Sequence, residues 1–218
     1  MGAIIAVATG KGGAGKTTLT ICLAHNLVVD GSTVAVLDGD PSGDYTEWNR
    51  DVYGGAVTIK SVHEVSPEKI VDIAQSLAED HDVVLIDTAG FGNQAAVTAI
   101  GTADGVLIPA GSARKELLEA DKAYRLVQSL AKGGRREIKS KVVLIGIKPR
   151  SAVGKFTRAQ TAELGLPLSK GYLTDRVAYI ELTHSGNVPT SGTERQEISR
   201  ILDEMRDEGW IPEVAGSD

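Results

Sequence analysis

Five short apolar runs recur along the chain, at residues 3–8 (AIIAVA), 33–37 (TVAVL), 83–86 (VVLI), 105–109 (GVLIP) and 141–147 (KVVLIGI). Their apolarity is continuous rather than alternating, as in strands buried on both faces of a parallel sheet. Segments of helical period lie between them. Residues 16–29 follow the first run and 68–78 precede the third. Residues 116–131 follow the fourth, with Leu117, Leu118, Ala120, Tyr124, Leu126, Val127 and Leu130 apolar, and Gly133-Gly134 is the predicted stop. This alternation, with right-handed crossovers, predicts an α/β fold: a doubly wound, mostly parallel sheet flanked by helices. No internal repeat, low-complexity tract or linker divides the chain, so a single domain over residues 1–218 is predicted.

Composition narrows the function. Apolar residues at 42% and charged residues at 24% are ordinary globular values, which excludes disorder and fibrous repeats. Aromatics at 4% are too scarce for a binder that stacks bases or sugars on rings. Glycine is over-used, 25 residues where average usage of about 7% gives roughly 15, which points to close backbone approaches and tight βα turns. A lone cysteine, Cys22, excludes disulfide frameworks and cysteine-held clusters within one chain, and His25, His63, His81 and His184 show no ligand spacing. The apolar start is too short for a signal peptide or a membrane span, so a cytoplasmic location is expected.

The glycines concentrate where chemistry is legible. Residues 9–18 read TGKGGAGKTT and satisfy G-x-x-x-x-G-K-[ST] through Gly10, Gly15, Lys16 and Thr17. A predicted strand ends just before this loop and a helix opens at Lys16, the context such a motif needs. Gly12, Gly13, Ala14 and Gly15 can turn backbone N–H groups inward as an anion nest, aided by the helix dipole. Lys16 can reach the β- and γ-phosphates of ATP, Thr18 continues the cradle, and the Thr17 hydroxyl is placed for Mg²⁺. The second apolar run leads into Asp38-Gly39-Asp40-Pro41, two carboxylates at the sheet's carboxyl edge, where ligands of such folds bind. Residues 82–90 (DVVLIDTAG) have the form of a Walker B strand that delivers Asp87 to the same edge beside Mg²⁺. Thr88, Ala89 and Gly90 are suited to meet the γ-phosphate by backbone N–H.

A second loop lysine, Lys11, is not needed by an ordinary phosphate loop. With it, KGGAGKTT is a deviant Walker A motif, and the chain resembles the ParA/MinD family of partitioning and positioning ATPases. The resemblance covers nearly the whole chain. It implies that Lys11 acts in trans, so that ATP joins two subunits face to face in a nucleotide-dependent homodimer. It also implies catalytic roles for Lys11, Lys16 and Asp40, with Asp40 positioning water and Asp38 supporting the Mg²⁺ water shell, and a helix over residues 44–51. Ser42 stands where the family usually has glutamine, and Cys22 where it often has asparagine. Lys148, followed by Pro149, falls near where many members place an asparagine at the base. The first strand starts so early that no N-terminal helix-turn-helix domain is expected. That matches the small ParA-type (type Ib, ParF-like) plasmid and chromosome partition proteins, whose small centromere-binding adaptor recognises DNA and stimulates slow ATP hydrolysis. Two alternatives stay open: a related ATPase that positions another cargo, such as a conjugation complex, and a small-molecule ligase built on the same loop.

The formal charge of −6 is unevenly spread. Lys132, Arg135, Arg136, Lys139, Lys141, Lys148, Arg150, Lys155 and Arg158 fall in one 27-residue segment with a single acid, Glu137, a net +8 that leaves −14 for the rest. Such asymmetry is the footprint of a polyanion site, and non-specific, salt-sensitive DNA binding is expected there, with association to the nucleoid in the ATP state. MinD-type membrane attachment is not expected. The last helical segment, 193–208, has Ile198, Ile201, Leu202 and Met205 on one face and a net charge of −3, which anionic lipid repels.

Overall fold

The computed structural model describes residues 1–10 and 12–213. Six strands form one sheet: β1 (Ala3–Val7), β2 (Val34–Gly39), β3 (Lys60–His63), β4 (Val83–Thr88), β5 (Gly105–Ala110) and β6 (Lys139–Leu144). Their spatial order is β3-β2-β4-β1-β5-β6 and every pairing is parallel. The five predicted runs are β1, β2, β4, β5 and β6. The sixth strand, β3, is KSVH, a partly exposed edge strand whose mixed polarity carries no continuous apolar signal.

Adjacent residues of the buried strands serve opposite faces, so two cores form. Ile4, Ala6, Leu37, Val84, Ile86, Val106 and Ile108 face one layer. It is covered by α3 (Pro67–Asp80), α4 (Gln94–Thr102) and α5 (Arg114–Gly134). Ile5, Val7, Val34, Val36, Leu85 and Leu107 face the other. There they meet α1 (Lys16–Val29), α2 (Asp44–Asp51), α7 (Val177–Ser185) and α8 (Gly192–Asp207). A further helix, α6 (Ala152–Glu163), follows β6. The apolar stripe of α8 is buried in the second core, so the last helix packs on its own sheet. No helix among the described residues is long and apolar enough to cross a membrane.

One helix end departs from its predicted stop. Helix α5 runs through both glycines, and Arg135 closes it in the left-handed region at φ 52°. The Arg135 N–H donates to Lys132 O and the Arg136 N–H to Ala131 O, the paired bonds of a Schellman turn in which glycine is the usual left-handed residue. Gly133 and Gly134 stand two and one residues too early to take that position.

The segment of nine cations is contiguous only in sequence. Strand β6 spans about 17 Å at about 3.3 Å per residue, so it separates the segment into two ends. Lys132, Arg135, Arg136 and Lys139 lie at the amino edge of the sheet, whereas Lys148 and Arg150 follow β6 at the carboxyl edge. Lys141 is drawn inward by Glu204 and Glu208 of the α8 region. The single patch expected from sequence is therefore two groups facing opposite ways.

Candidate nucleotide and magnesium site

The carboxyl ends of β1, β2 and β4 converge on one spot. Gly15, at φ 83°, turns the chain from the loop into α1 and is its N-cap with no side chain bonded to the first-turn amides and no acid among them. Those N–H groups, which a helix leaves without internal partners, are free to meet an anion. Gly13 is also left-handed, at φ 76°, and a Cβ on Gly12 or Gly13 would meet nothing within 4 Å, so the loop is open on the side where phosphates would sit. A Cβ on Gly15 would lie 3.2 Å from Ile145, which ties the loop to the exit of β6. Lys16 is buried, and Gly12, Ala14, Thr17 and Thr18 lie in or just after the loop as predicted. Lys11 lies outside the described residues.

Asp38 and Asp87 are register partners on neighbouring strands, about 4.8 Å apart along the hydrogen-bonding direction, and both are fully buried. Their surroundings differ. Asp38 accepts the backbone N–H of Thr46 at 2.9 Å and of Asp40 at 3.2 Å. Burial raises its carboxyl above the usual range while those amides pull it back. Among the described residues, neither oxygen of Asp87 has a hydrogen-bond partner. Burial pushes its carboxyl up to about 7, with Asp38 and Asp40 adding to the rise and the nearby Thr17 hydroxyl and Lys16 ammonium opposing it. A carboxylate buried without a partner is costly and is usually neutralised or met by a cation. The residues present therefore fit a Mg²⁺–nucleotide: an open amide nest for phosphates, a hydroxyl at Thr17 and an acid short of one positive partner.

Around this centre, Asp40 is held by the residue that departs from the family pattern. Its Oδ1 accepts both the Ser42 N–H at 3.0 Å and the Ser42 hydroxyl at 2.8 Å, and its carbonyl meets His63 Nε2 at 2.9 Å. The Thr88 hydroxyl donates to Val7 O and Ala89 O, which anchors the stretch leading to Gly90 against the end of β1.

Lys148 and Pro149 line a cleft of about 340 Å³ that also includes Arg150, Thr174, Asp175 and Arg176. A bridge between Ile147 and Thr174 brings the two segments together, and Lys148 Nζ lies 3.2 Å from Asp175. Glu197 of α8 braces the far wall, accepting from Thr174, Arg176 and Tyr179.

Sequence reasoning missed three neighbours of the site. A Cβ on Gly10 would meet Glu119 Oε2 at 2.6 Å and the Phe91 ring at 3.3 Å, so α5 and the loop after β4 press on the first motif glycine. Nothing in the spacing of Glu119 marks it. The Tyr45 hydroxyl is buried without a partner among the described residues, and burial, then Asp87 and Asp38, push its pKa upward. It follows the D-x-D-P turn by four residues, which was its one available signal.

A deviant Walker A loop and paired carboxylates at the carboxyl edge of a parallel sheet define a P-loop ATPase of the ParA/MinD type. The VirC1 protein family matches residues 2–199, and the chain belongs to that family. Among relatives, the protein ParA of Rhizobium radiobacter is 30% identical over 190 residues, covering 84% of this chain and 83% of its own. The virC1 protein of Rhizobium rhizogenes is 29% identical over 185 residues, covering 81% and 78%. Among solved structures, the ATP complex of McdA from Cyanothece superposes with a TM-score of 0.77 at 18% identity, covering 99% of both chains, a likeness of fold.

Proposed function

We propose that the chain is an ATP-dependent dimerisation switch that carries or positions a DNA-linked cargo. The observation that carries this reading is Asp87: a buried carboxylate without a hydrogen-bond partner among the described residues, beside a glycine loop whose helix amides are uncapped. When bound, Mg²⁺ would neutralise phosphate charge between Thr17 and Asp87, with Asp38 supporting its water shell. Lys16 would hold the β- and γ-phosphates, the amides from Gly12 to Thr18 would cradle them, and Gly90 would meet the γ-phosphate. Asp40 would orient the attacking water, while Lys148 and Pro149 would border the base.

Lys11 from each subunit would complete the partner's site, so ATP would favour an isologous dimer. Hydrolysis would be slow, since Asp40 is the sole candidate to orient water, and a small centromere-binding adaptor would stimulate it. The ATP dimer would hold non-specific DNA and so be nucleoid-associated. The relative named ParA supports segregation of a plasmid or chromosome as the process. The VirC1 family match supports a second reading equally, in which the same switch assembles a conjugation complex.

Light scattering without nucleotide, with Mg-ADP and with Mg-ATP tests the switch. A dimer only with Mg-ATP is expected, lost in Lys16→Ala and persistent in Asp40→Ala, which should release no phosphate. Equal mass in all three states, or normal hydrolysis by Asp40→Ala, would sink it.

A further inference from the structure

The cleft at Lys148 and Pro149 carries a charge pair that the phosphate chemistry leaves unused. Both of its walls are fixed. On one, the Lys148 carbonyl accepts the Ser151 N–H at 2.9 Å and the Ser151 hydroxyl at 2.7 Å, which closes the turn through Pro149. On the other, buried Glu197 accepts the Thr174 N–H at 3.0 Å, the Thr174 hydroxyl at 2.7 Å and the Arg176 Nε–H at 3.1 Å. The walls are also laced together, since the Ile147 N–H donates to Leu173 O and the Asp175 N–H to Ile147 O. Asp175 therefore stands between two tethered neighbours with its own N–H engaged. Its exposed carboxylate meets Lys148 Nζ at 3.2 Å and has no other partner among the described residues. An exposed ion pair of this kind adds little to stability, so both groups can exchange each other for a ligand. The cleft adjoins the phosphate loop, because Ile145, two residues before Ile147, packs toward Gly15.

We propose that Lys148 and Asp175 read the base, and that they admit guanine at least as tightly as adenine, so that GTP as well as ATP occupies the loop. The inference rests on the reading above that the base lies against Lys148 and Pro149. An ammonium only donates hydrogen bonds and a carboxylate only accepts them. Along its pairing edge guanine presents one acceptor, O6, and then two adjacent donors, N1–H and the 2-amino group. The two oxygens of Asp175 can take both donors while Lys148 turns to O6. Adenine presents one donor, the 6-amino group, beside one acceptor, N1, and only a C–H follows. One Asp175 oxygen then faces no donor. The pair thus completes three bonds to guanine and at most two to adenine. A good bidentate contact to a base discriminates by about 5- to 150-fold. Because Glu197 holds the residues on either side of Asp175, little ordering is left to oppose that contact.

The test is isothermal titration of the full chain with Mg-ADP, Mg-GDP and Mg-IDP, with Mg-pyrophosphate as the reference that has no base. Mg-GDP should bind with a Kd equal to or below that of Mg-ADP. Inosine keeps O6 and N1–H but lacks the 2-amino group, so Mg-IDP should bind more weakly than Mg-GDP. Asp175→Asn replaces one acceptor by a donor, the arrangement that adenine's 6-amino group and N1 require. It should weaken Mg-GDP by about 10-fold or more, hold or tighten Mg-ADP, and leave pyrophosphate unchanged. A merely structural aspartate would instead weaken all the ligands together. A wild-type Kd for Mg-GDP more than about ten times that for Mg-ADP overturns the proposal and leaves the ATP site standing. So does a GDP-to-ADP ratio that Asp175→Asn does not move. Pyrophosphate bound as tightly as either nucleotide would show that no base is held in the cleft, which overturns the base reading and the proposal with it. No binding of any ligand overturns the phosphate-loop reading as well.

Discussion

Two regions at opposite ends of the sheet carry excess charge of opposite sign, the carboxylates at the ends of β2 and β4 and the cations around the start of β6. At the carboxyl edge the deficit is a cation: Asp38 and Asp87 are buried side by side, and Asp87 has no hydrogen-bond partner among the described residues. At the amino edge, beside the start of β6, the excess is cationic: Lys132, Arg135, Arg136 and Lys139 line one groove with Glu137 as its one acid, and none of the four is ion-paired among the described residues. The carboxyl-edge charge is desolvated, so its effect on stability is large and depends on pH. The amino-edge charge stays in contact with water, where high dielectric and salt screen it, so it costs little and acts mainly on what comes near. Burial, not charge count, separates a stored strain from a docking surface.

The largest expected effect breaks the carboxyl-edge half of that comparison. Asp87 titrates near 7 in the folded chain against an ordinary value of 3.8, so the folded state prefers the neutral acid. Its contribution is fully present below about pH 3.8 and is lost as pH rises to about 7. The loss approaches about 4 kcal/mol from three pKa units. Asp87→Asn should therefore be more stable than wild type at pH 8 without nucleotide, with the gain shrinking toward pH 4. Denaturant melts across that range check it, and an Asp87→Asn gain that does not change with pH would show that the carboxylate is not desolvated as described.

A second titration runs the other way and must be separated from the first. His25, packed on Trp48 and Tyr53 with its Nε2 unpartnered among the described residues, is lowered by burial from 6.5 to about 4. The folded state prefers the neutral ring, so stability is full above about pH 6.5 and falls as pH drops to about 4, by up to about 3 kcal/mol. In wild type the two slopes nearly cancel, and a flat profile would hide both. His25→Phe keeps the ring packing and should remove the acid-side loss, leaving the Asp87 slope exposed in urea melts between pH 4 and 7.

How much of this was legible beforehand differs between the two ends for a physical reason. The nucleotide edge is built from short contiguous motifs, because one strand end, one glycine loop and one helix start must follow each other directly. Lys16, Thr17, Asp38 and Asp87 could thus be read from spacing. Five strands were legible because burial on both faces demands continuous apolarity, and β3 was not, because an edge strand does not. Helices α4, α6 and α7 lacked a long apolar stripe: Ala95, Ala96 and Ala99 pack by being small, and Gly154, Thr157 and Thr161 are the buried residues of α6. The basic segment was legible as charge but not as shape. Its division by β6 and the diversion of Lys141 to Glu204 are long-range facts that composition does not hold.

A smaller effect probes the loop itself. Gly15→Ala would place a methyl at φ 83° and 3.2 Å from Ile145, and should destabilise the chain by about 1 to 2 kcal/mol. Because the strain sits where the amides must point at phosphate, nucleotide affinity should fall with stability. Isothermal titration with Mg-ADP, set beside the melt, checks that the two losses travel together. Unchanged affinity at lower stability would mean that the nest does not depend on this turn.

The smallest effect is the sharpest for the comparison, because at the amino edge stability and binding should part company. Arg135 occupies the left-handed position that closes α5, where a glycine relieves the Cβ clash. Its side chain makes no ion pair among the described residues, so Arg135→Gly removes no salt bridge that would offset the relief. Glycine's greater freedom in the unfolded chain subtracts part of the gain, and the net should be between zero and about +1 kcal/mol. A measured loss of 1 kcal/mol or more would mean that Arg135 holds the turn through packing. The amino edge would then be, like the carboxyl edge, a place where charge serves the fold. A neutral or positive value, with weaker binding to DNA, would mark it as a strained residue kept for its charge.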